Sequence, residues 1–380
     1  EGPISDEDRL PDVLVNKEHR ATALEAARQS VVLLKNDKIL PLDAKKYRKV
    51  FVTGPNANNQ AILGDWASVQ PDENVVTVYD GLREVSPETD FTIYEMDWNL
   101  RNITPAQVRQ AASMAARNDL AIVVVGENSM RYHWDEKTCG ENSDRYDIDL
   151  YGLQQDLVEE IYKTGTPVVV VLVNGRPLST EWIADNIPAL VEAWEPGSFG
   201  GLAVAEILYG KVNPSGKLPI TIPRHSGQIQ TYYNYKFSSK WFNYATGNST
   251  PLYEFGYGLS YTTYAYGEPM LSAASIGRND NVRVSVSVTN TGQVAGTEIV
   301  QLYIRDEYSS ATRPVKELKD FARVTLRPGE TREVEFTLTP DKLAFYDISI
   351  NFTVEPGDFT IMVGGSSRDA DLRSTTLTVK

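Results

Sequence analysis

A single cysteine, Cys139, stands among 380 residues, so no internal disulfide staples the fold. Three histidines, His19, His133 and His225, together with that one thiol are too few and too scattered for a zinc site. No metal or cofactor is therefore expected. Nowhere does the chain approach the ~20 consecutive apolar residues of a membrane helix. Positive charge is short as well: 37 Lys and Arg against 51 Asp and Glu leave a formal charge of -14. So acidic a chain repels phosphate backbones and anionic lipid surfaces, and neither nucleic acid nor membrane is an expected partner. Low-complexity tracts and internal repeats are also missing. The N-terminus, Glu1-Gly2-Pro3-Ile4, is neither a start methionine nor a signal peptide, which suggests that something upstream was removed or never belonged to this chain.

What remains is ordinary globular composition, 41% hydrophobic and 23% charged, long enough for two or three domains. Residues 20–35, RATALEAARQSVVLLK, carry Ala and Leu at helical spacing. Strands follow at 49–54 (KVFVTG), 120–126 (LAIVVVG), 167–174 (PVVVVLVN) and 189–193. These runs are β-branched and continuous rather than alternating, as in parallel strands buried on both faces. Helices are expected between and after them: one opened by Thr104 at N-cap and Pro105 at N1, one at 150–163 and one at 200–208. Strand alternating with helix predicts a layered α/β sandwich with a mostly parallel sheet. After Lys211 the chain turns rich in Pro, Tyr, Asn and Ser. From Val282 onward it alternates, VRVSVSVTN, TEIVQLYIRD, REVEFTL, with turns at Asn290-Thr291-Gly292 and Arg327-Pro328-Gly329. That is the pattern of an all-β immunoglobulin-like sandwich, and without a cysteine pair it suits a fibronectin type III variant. The expected divisions are an arm at 1–19, the α/β sandwich at 20–223, a connecting segment at 224–265 and the fibronectin type III-like domain at 266–380.

Ligands of open α/β sheets bind outside the carboxyl ends of the strands. Beyond the strand 120–126 the chain reads Glu127-Asn-Ser-Met-Arg-Tyr-His-Trp-Asp-Glu136-Lys-Thr-Cys-Gly-Glu141-Asn-Ser-Asp-Arg145. Carboxylates, aromatic faces and a guanidinium fork on one loop suit a sugar, whose hydroxyls and ring faces take such partners. A solvated acidic loop has the same composition. Gly54-Pro55-Asn56 lacks the Gly pattern and the Lys of a phosphate loop. Gly197-Ser198-Phe199-Gly200 lacks the Gly two before Ser that a nucleophile elbow needs. Trp182 and Trp194 sit in apolar contexts and read as core.

Several stretches together resemble the C-terminal portion of the family 3 glycoside hydrolases, the β-glucosidase and β-xylosidase group. They are HRATALEAARQSVVLLKND at 19–37, VFVTGPNA at 50–57, VEAWEPGSFGGLAVAEILYGKVNPSGKLPITIPR at 191–224, PLYEFGYGLSYTTY at 251–264, TNTGQVAGTEIVQLYI at 289–304 and KELKDFARVTLRPGET at 316–331. The resemblance covers essentially the whole chain. It implies an α/β sandwich followed by a fibronectin type III-like domain, and a retaining exo-acting β-glycosidase acting on terminal β-linked glucose, with β-xyloside as the alternative. It further implies an N-terminal (β/α) barrel carrying an Asp nucleophile, for which these residues leave no span; the barrel is expected in cis before a cleavage or as a second polypeptide. Gly64-Asp65-Trp66 is similar to the family's short nucleophile motif but follows the first sandwich strand, and reads as a loop feature. The stretch Cys139-Gly140-Glu141-Asn142-Ser143-Asp144-Arg145 is similar to the family's acid/base loop, which makes Glu141 the implied general acid/base, with Glu127 and then Glu136 as alternatives. Tyr132, His133, Trp134 and Arg145 are the candidate substrate-binding residues. A non-catalytic carbohydrate-binding or scaffold module, and a doubly wound small-molecule binder, are the competing readings. A secreted or periplasmic location follows from a polysaccharide-processing role.

Overall fold

A computed structural model describes residues 15–228, 231–237 and 244–380. The chain divides into two compact units, Glu1–Gly216 and Lys217–Lys380. Most of the expected arm at 1–19 lies outside the described residues. Its described end enters the first helix, α1 (Lys17–Ser30), where the Asn16 side chain accepts from the His19 N–H and caps the opening turn.

The first unit is built on a six-stranded sheet. In chain order its elements are β1 (Val32–Asn36), β2 (Lys49–Gly54), α2 (Val78–Val85), β3 (Asp90–Glu95), α3 (Pro105–Ala115), β4 (Leu120–Gly126), α4 (Gln154–Lys163), β5 (Val168–Val173), α5 (Glu181–Asn186), β6 (Ala189–Glu192) and α6 (Gly200–Leu208). The strand order is β1-β6-β5-β4-β2-β3; every pairing is parallel except that of β1 with β6. Helices cover such a sheet, so β4 and β5 are buried at every residue, as their unbroken Val and Ile runs require. Helix α3 begins on a complete capping box: Thr104 and Gln107 each accept the other's backbone N–H, satisfying two donors the helix leaves unpaired.

One expected element is corrected. The helix expected to run to residue 35 ends at Ser30, and VLLKN is the edge strand β1. Val31 is already extended at φ -65°, ψ 130°, and β-branched Val31 and Val32 gain more by burial against β6 than by continuing the helix. The helix α2 and the half-buried strand β3 were not expected at all, since neither carries the continuous apolar run of the central strands.

At the end of β6, Glu192 is buried, taking bonds from the Trp194 N–H at 2.9 Å and the Asn174 side-chain amide at 3.2 Å. Burial dominates over these two donors and pushes its carboxyl up to about 8. The folded chain then holds a proton that the unfolded chain loses near 4.5. Its contribution to stability is whole below that value and is lost as pH rises through about 8. Glu192→Gln should therefore flatten the decline of unfolding free energy over this window, by up to ~1.4 kcal/mol per pH unit relative to the parent. Parallel urea titrations at several pH values measure this, and curves of identical slope would refute it.

The second unit is the expected all-β sandwich. One sheet runs β13 (Thr331–Leu338), β10 (Val282–Asn290), β7 (Tyr264–Tyr266), with β8 (Met270–Leu271) also on β10. The other runs β12 (Glu317–Leu326), β11 (Gly296–Asp306), β16 (Gly357–Gly364), β17 (Leu372–Val379), β9 (Ser275–Ile276). A short antiparallel pair, β14 (Phe345–Tyr346) and β15 (Phe352–Thr353), stands apart from both. Alternation sets the core: Val282, Val284, Val286 and Val288 of β10 point inward against Leu302, Ile304, Phe359 and Ile361 of the facing sheet. Residues 217–223, assigned on sequence to the α/β domain, pair with this second unit through the Leu218 N–H to Tyr257 and the Ile222–Tyr253 bridge. Among the described residues no helix is long and apolar enough to cross a membrane.

Candidate active site

The candidate carboxylates Glu127, Glu136 and Glu141 all lie on the loop that leaves the carboxyl end of β4. Gly126 there has φ 148°, and a Cβ on it would lie 1.9 Å from the Val173 carbonyl oxygen, so only glycine lets the chain turn this close to β5. The buried Gln154 side chain pairs with both backbone groups of Gly126, at 2.9 and 2.8 Å, and holds the turn from the side.

The three candidate carboxylates separate by environment. Glu127 is buried between two guanidiniums, with Arg145 at 3.3 Å and Arg176 at 3.2 Å. Burial raises its pKa, and Arg176 and Arg145 oppose the rise. Arg176 also donates to the Ser143 carbonyl, so this buried knot ties the far limb of the loop to the strand end. Glu136 closes a short 3₁₀ segment, Arg131–Glu136, and its carbonyl accepts from Arg101 at 2.7 Å. Glu141 is the accessible one: its carboxyl side chain is 42% exposed and pairs with Arg131 Nη2 at 2.6 Å.

The aromatic residues are divided in the same way. His133 stacks on Trp98 with ring centroids 3.8 Å apart, and Tyr132 tilts against His133 at 4.9 Å. The Tyr132 hydroxyl donates to the Met130 sulfur at 3.0 Å. Trp134 is exposed and bracketed by Lys137 at 4.2 Å and Arg131 at 5.2 Å. A cleft of about 550 Å³ opens beside it, lined by Trp134, Asn142, Asp144, Arg145, Tyr146 and Tyr151 among others. That volume is in the range of small-molecule sites. The Arg145 guanidinium is already committed to Glu127, to Asp147 at 2.5 Å and to the Asp149 carbonyl at 2.6 Å. Cys139 is buried beside Glu127, and burial pushes its thiol up, out of nucleophilic reach. Among the described residues no group of His, Cys, Asp and Glu is placed to hold a metal ion.

Residues 31–261 match the Glycosyl hydrolase family 3 C-terminal domain, and residues 298–367 match a Fibronectin type III-like domain. The chain belongs to glycosyl hydrolase family 3. It is 44% identical to a Beta-xylosidase of Formosa agariphila over 96% of this chain and 50% of that protein. With the Periplasmic beta-glucosidase of Salmonella typhimurium it shares 36% over 92% of this chain and 49% of the relative. A beta-glucosidase from Listeria innocua, solved in complex with isofagomine, superposes with a TM-score of 0.89 at 31% identity, covering 99% of this chain and 52% of that one. The chain thus spans about half the length of the relatives it matches.

Sequence reasoning missed the groups that shape this family 3 loop. Asp65 accepts from the Glu141 N–H, from Lys137 and from Arg131, although it lies 76 positions before Glu141. The Lys137 side chain is fully buried, and the Arg131 guanidinium sits over the exposed Trp66 ring at 3.6 Å from its centroid. The only local signal was an Asp between Gly64 and Trp66, both at positive φ. Trp182 and Trp194, read as core, are half-buried; Trp194 has φ 57° two residues past the buried end of β6.

Proposed function

We propose that this chain supplies the general acid/base, Glu141, of a retaining exo-acting β-glycosidase that removes terminal β-linked glucose. The nucleophile in this reading is a carboxylate on a (β/α) barrel, in cis or on a second polypeptide. The observation that carries it is the contrast among the loop carboxylates: Glu127 is locked between two arginines, whereas Glu141 is accessible at the carboxyl end of the sheet. Retention needs two carboxyl groups ~5–5.5 Å apart, so an exposed Glu on a loop is suited to meet a partner carboxylate from outside its own domain. Burial by that partner supplies the low-dielectric surroundings that keep a general acid protonated.

Trp134 and the adjoining cleft are the aglycone site in this reading, with its indole face against the leaving sugar. Tyr132 and His133, the other aromatic candidates for this site, pack on each other and, through His133, on Trp98. Arg145 anchors the loop by neutralising Glu127, and it contacts substrate at most by its edge in the cleft. The Beta-xylosidase relative at 44% identity favours xylose as the second reading for the terminal sugar. A periplasmic or secreted site of action accompanies either.

Product stereochemistry tests the reaction class. The complete enzyme, this chain together with its barrel, should release the β-anomer first from an aryl β-glucoside, followed by proton NMR before mutarotation. Initial appearance of the α-anomer would exclude a retaining mechanism.

A further inference from the structure

Asp65 has more assigned to it than a surface loop requires. Its Oδ2 accepts the Glu141 backbone N–H at 2.6 Å and Lys137 Nζ at 3.2 Å. The same ammonium donates to the Glu141 carbonyl at 2.9 Å. Both main-chain polar groups of Glu141 are thereby held, one by Asp65 directly and one through Lys137. On the other side, Arg131 divides its fork, Nη1 to Asp65 Oδ1 at 3.2 Å and Nη2 to Glu141 Oε2 at 2.6 Å. Gly140 makes the approach possible: at φ 85°, a Cβ on it would stand 2.5 Å from Asp65 Oδ2. Burial works against the Asp65 charge, yet the N–H groups of Glu141 and Trp66 and the Lys137 ammonium hold its carboxyl down at about 2. It is therefore an anion at any working pH.

We propose that Asp65 is the positioning residue of the acid/base loop: its carboxylate fixes the backbone of Glu141 and aims the Arg131 fork at the Glu141 carboxyl. The inference rests on the reading of Glu141 as acid/base. Asp65 touches no reacting atom. Its effect is geometric, because proton delivery to a leaving oxygen tolerates little displacement: ~1 Å of misplacement is worth about 10²-fold in rate.

The test uses the complete enzyme and two substrates, a phenyl β-glycoside, whose departure needs a proton, and a dinitrophenyl β-glycoside, which leaves without one. Asp65→Ala should lower kcat/KM, which reports the glycosylation step, by about 30–100-fold on the phenyl glycoside and by no more than about 3-fold on the dinitrophenyl glycoside. Asp65→Asn, which keeps one acceptor oxygen but no charge, should fall between. Combined with Glu141→Ala, Asp65→Ala should cost nothing further, since the group it positions is gone. Equal losses on both substrates, or additive losses in the double variant, overturn the inference while Glu141→Ala alone still discriminates between them. If Glu141→Ala does not discriminate either, it is the acid/base reading that has failed. Amide exchange on this chain by itself guards against a folding artefact. Asp65→Ala should speed exchange in peptides spanning 137–145 and leave β5 protected; an unchanged loop, or a β5 that loosens equally, refutes a positioning role.

Discussion

Glu141→Ala in the complete enzyme should lower kcat/KM on glycosides with sugar or phenyl leaving groups by ~10²–10⁴-fold, the usual worth of general acid catalysis. On a dinitrophenyl glycoside the first step needs no proton, so bond cleavage should proceed near the parent rate. The intermediate should then accumulate as a burst, because deglycosylation still wants a general base. The accessible carboxylate, paired at its edge with Arg131, is the structural reason to expect this pattern from Glu141. Steady-state rates across a series of aryl glycosides measure it. Equal loss across the whole series would assign Glu141 a structural part and remove it from the chemistry.

Glu127 should behave in the opposite manner. Its carboxylate neutralises Arg145 and Arg176 in a buried site, and removing one partner of such a cluster leaves uncompensated charge. Glu127→Ala should cost ~3–5 kcal/mol of unfolding free energy in this chain, read from urea denaturation. Any residual activity should fall by a similar factor on good and poor leaving groups, because the loop is displaced and not the proton. A variant with parental stability but a loss confined to poor leaving groups would instead make Glu127 the acid/base. The two experiments share substrates, so one set of assays separates the carboxylates. Their ordering on sequence was a matter of loop register; burial and partners now divide them physically.

How much was legible beforehand depended on the range of the forces involved. The central strands announced themselves because burial on both faces demands unbroken apolar runs, as in Leu120–Gly126 and Val168–Val173. The fibronectin type III-like unit was equally open, since a period of two in residues 282–290 admits one inward face. Segments without such a signature were lost. Val32–Asn36 continues a helical-looking Ala and Leu pattern and becomes a strand only because β6 lies beside it. The half-buried strand Asp90–Glu95 pairs on one side only, so its composition never had to become apolar.

The site divides along the same line. Residue types and their order by themselves determined the family, the two folds and the loop that carries Glu141, because these depend on local periodicity and on a contiguous motif. Which carboxylate stands accessible, which arginine is already committed and that Asp65 binds the backbone of Glu141 were decided by tertiary structure alone. Each rests on contacts between residues far apart in the chain, Arg176 with Glu127 and Asp65 with Glu141, and charge and burial at such contacts have no sequence period to betray them.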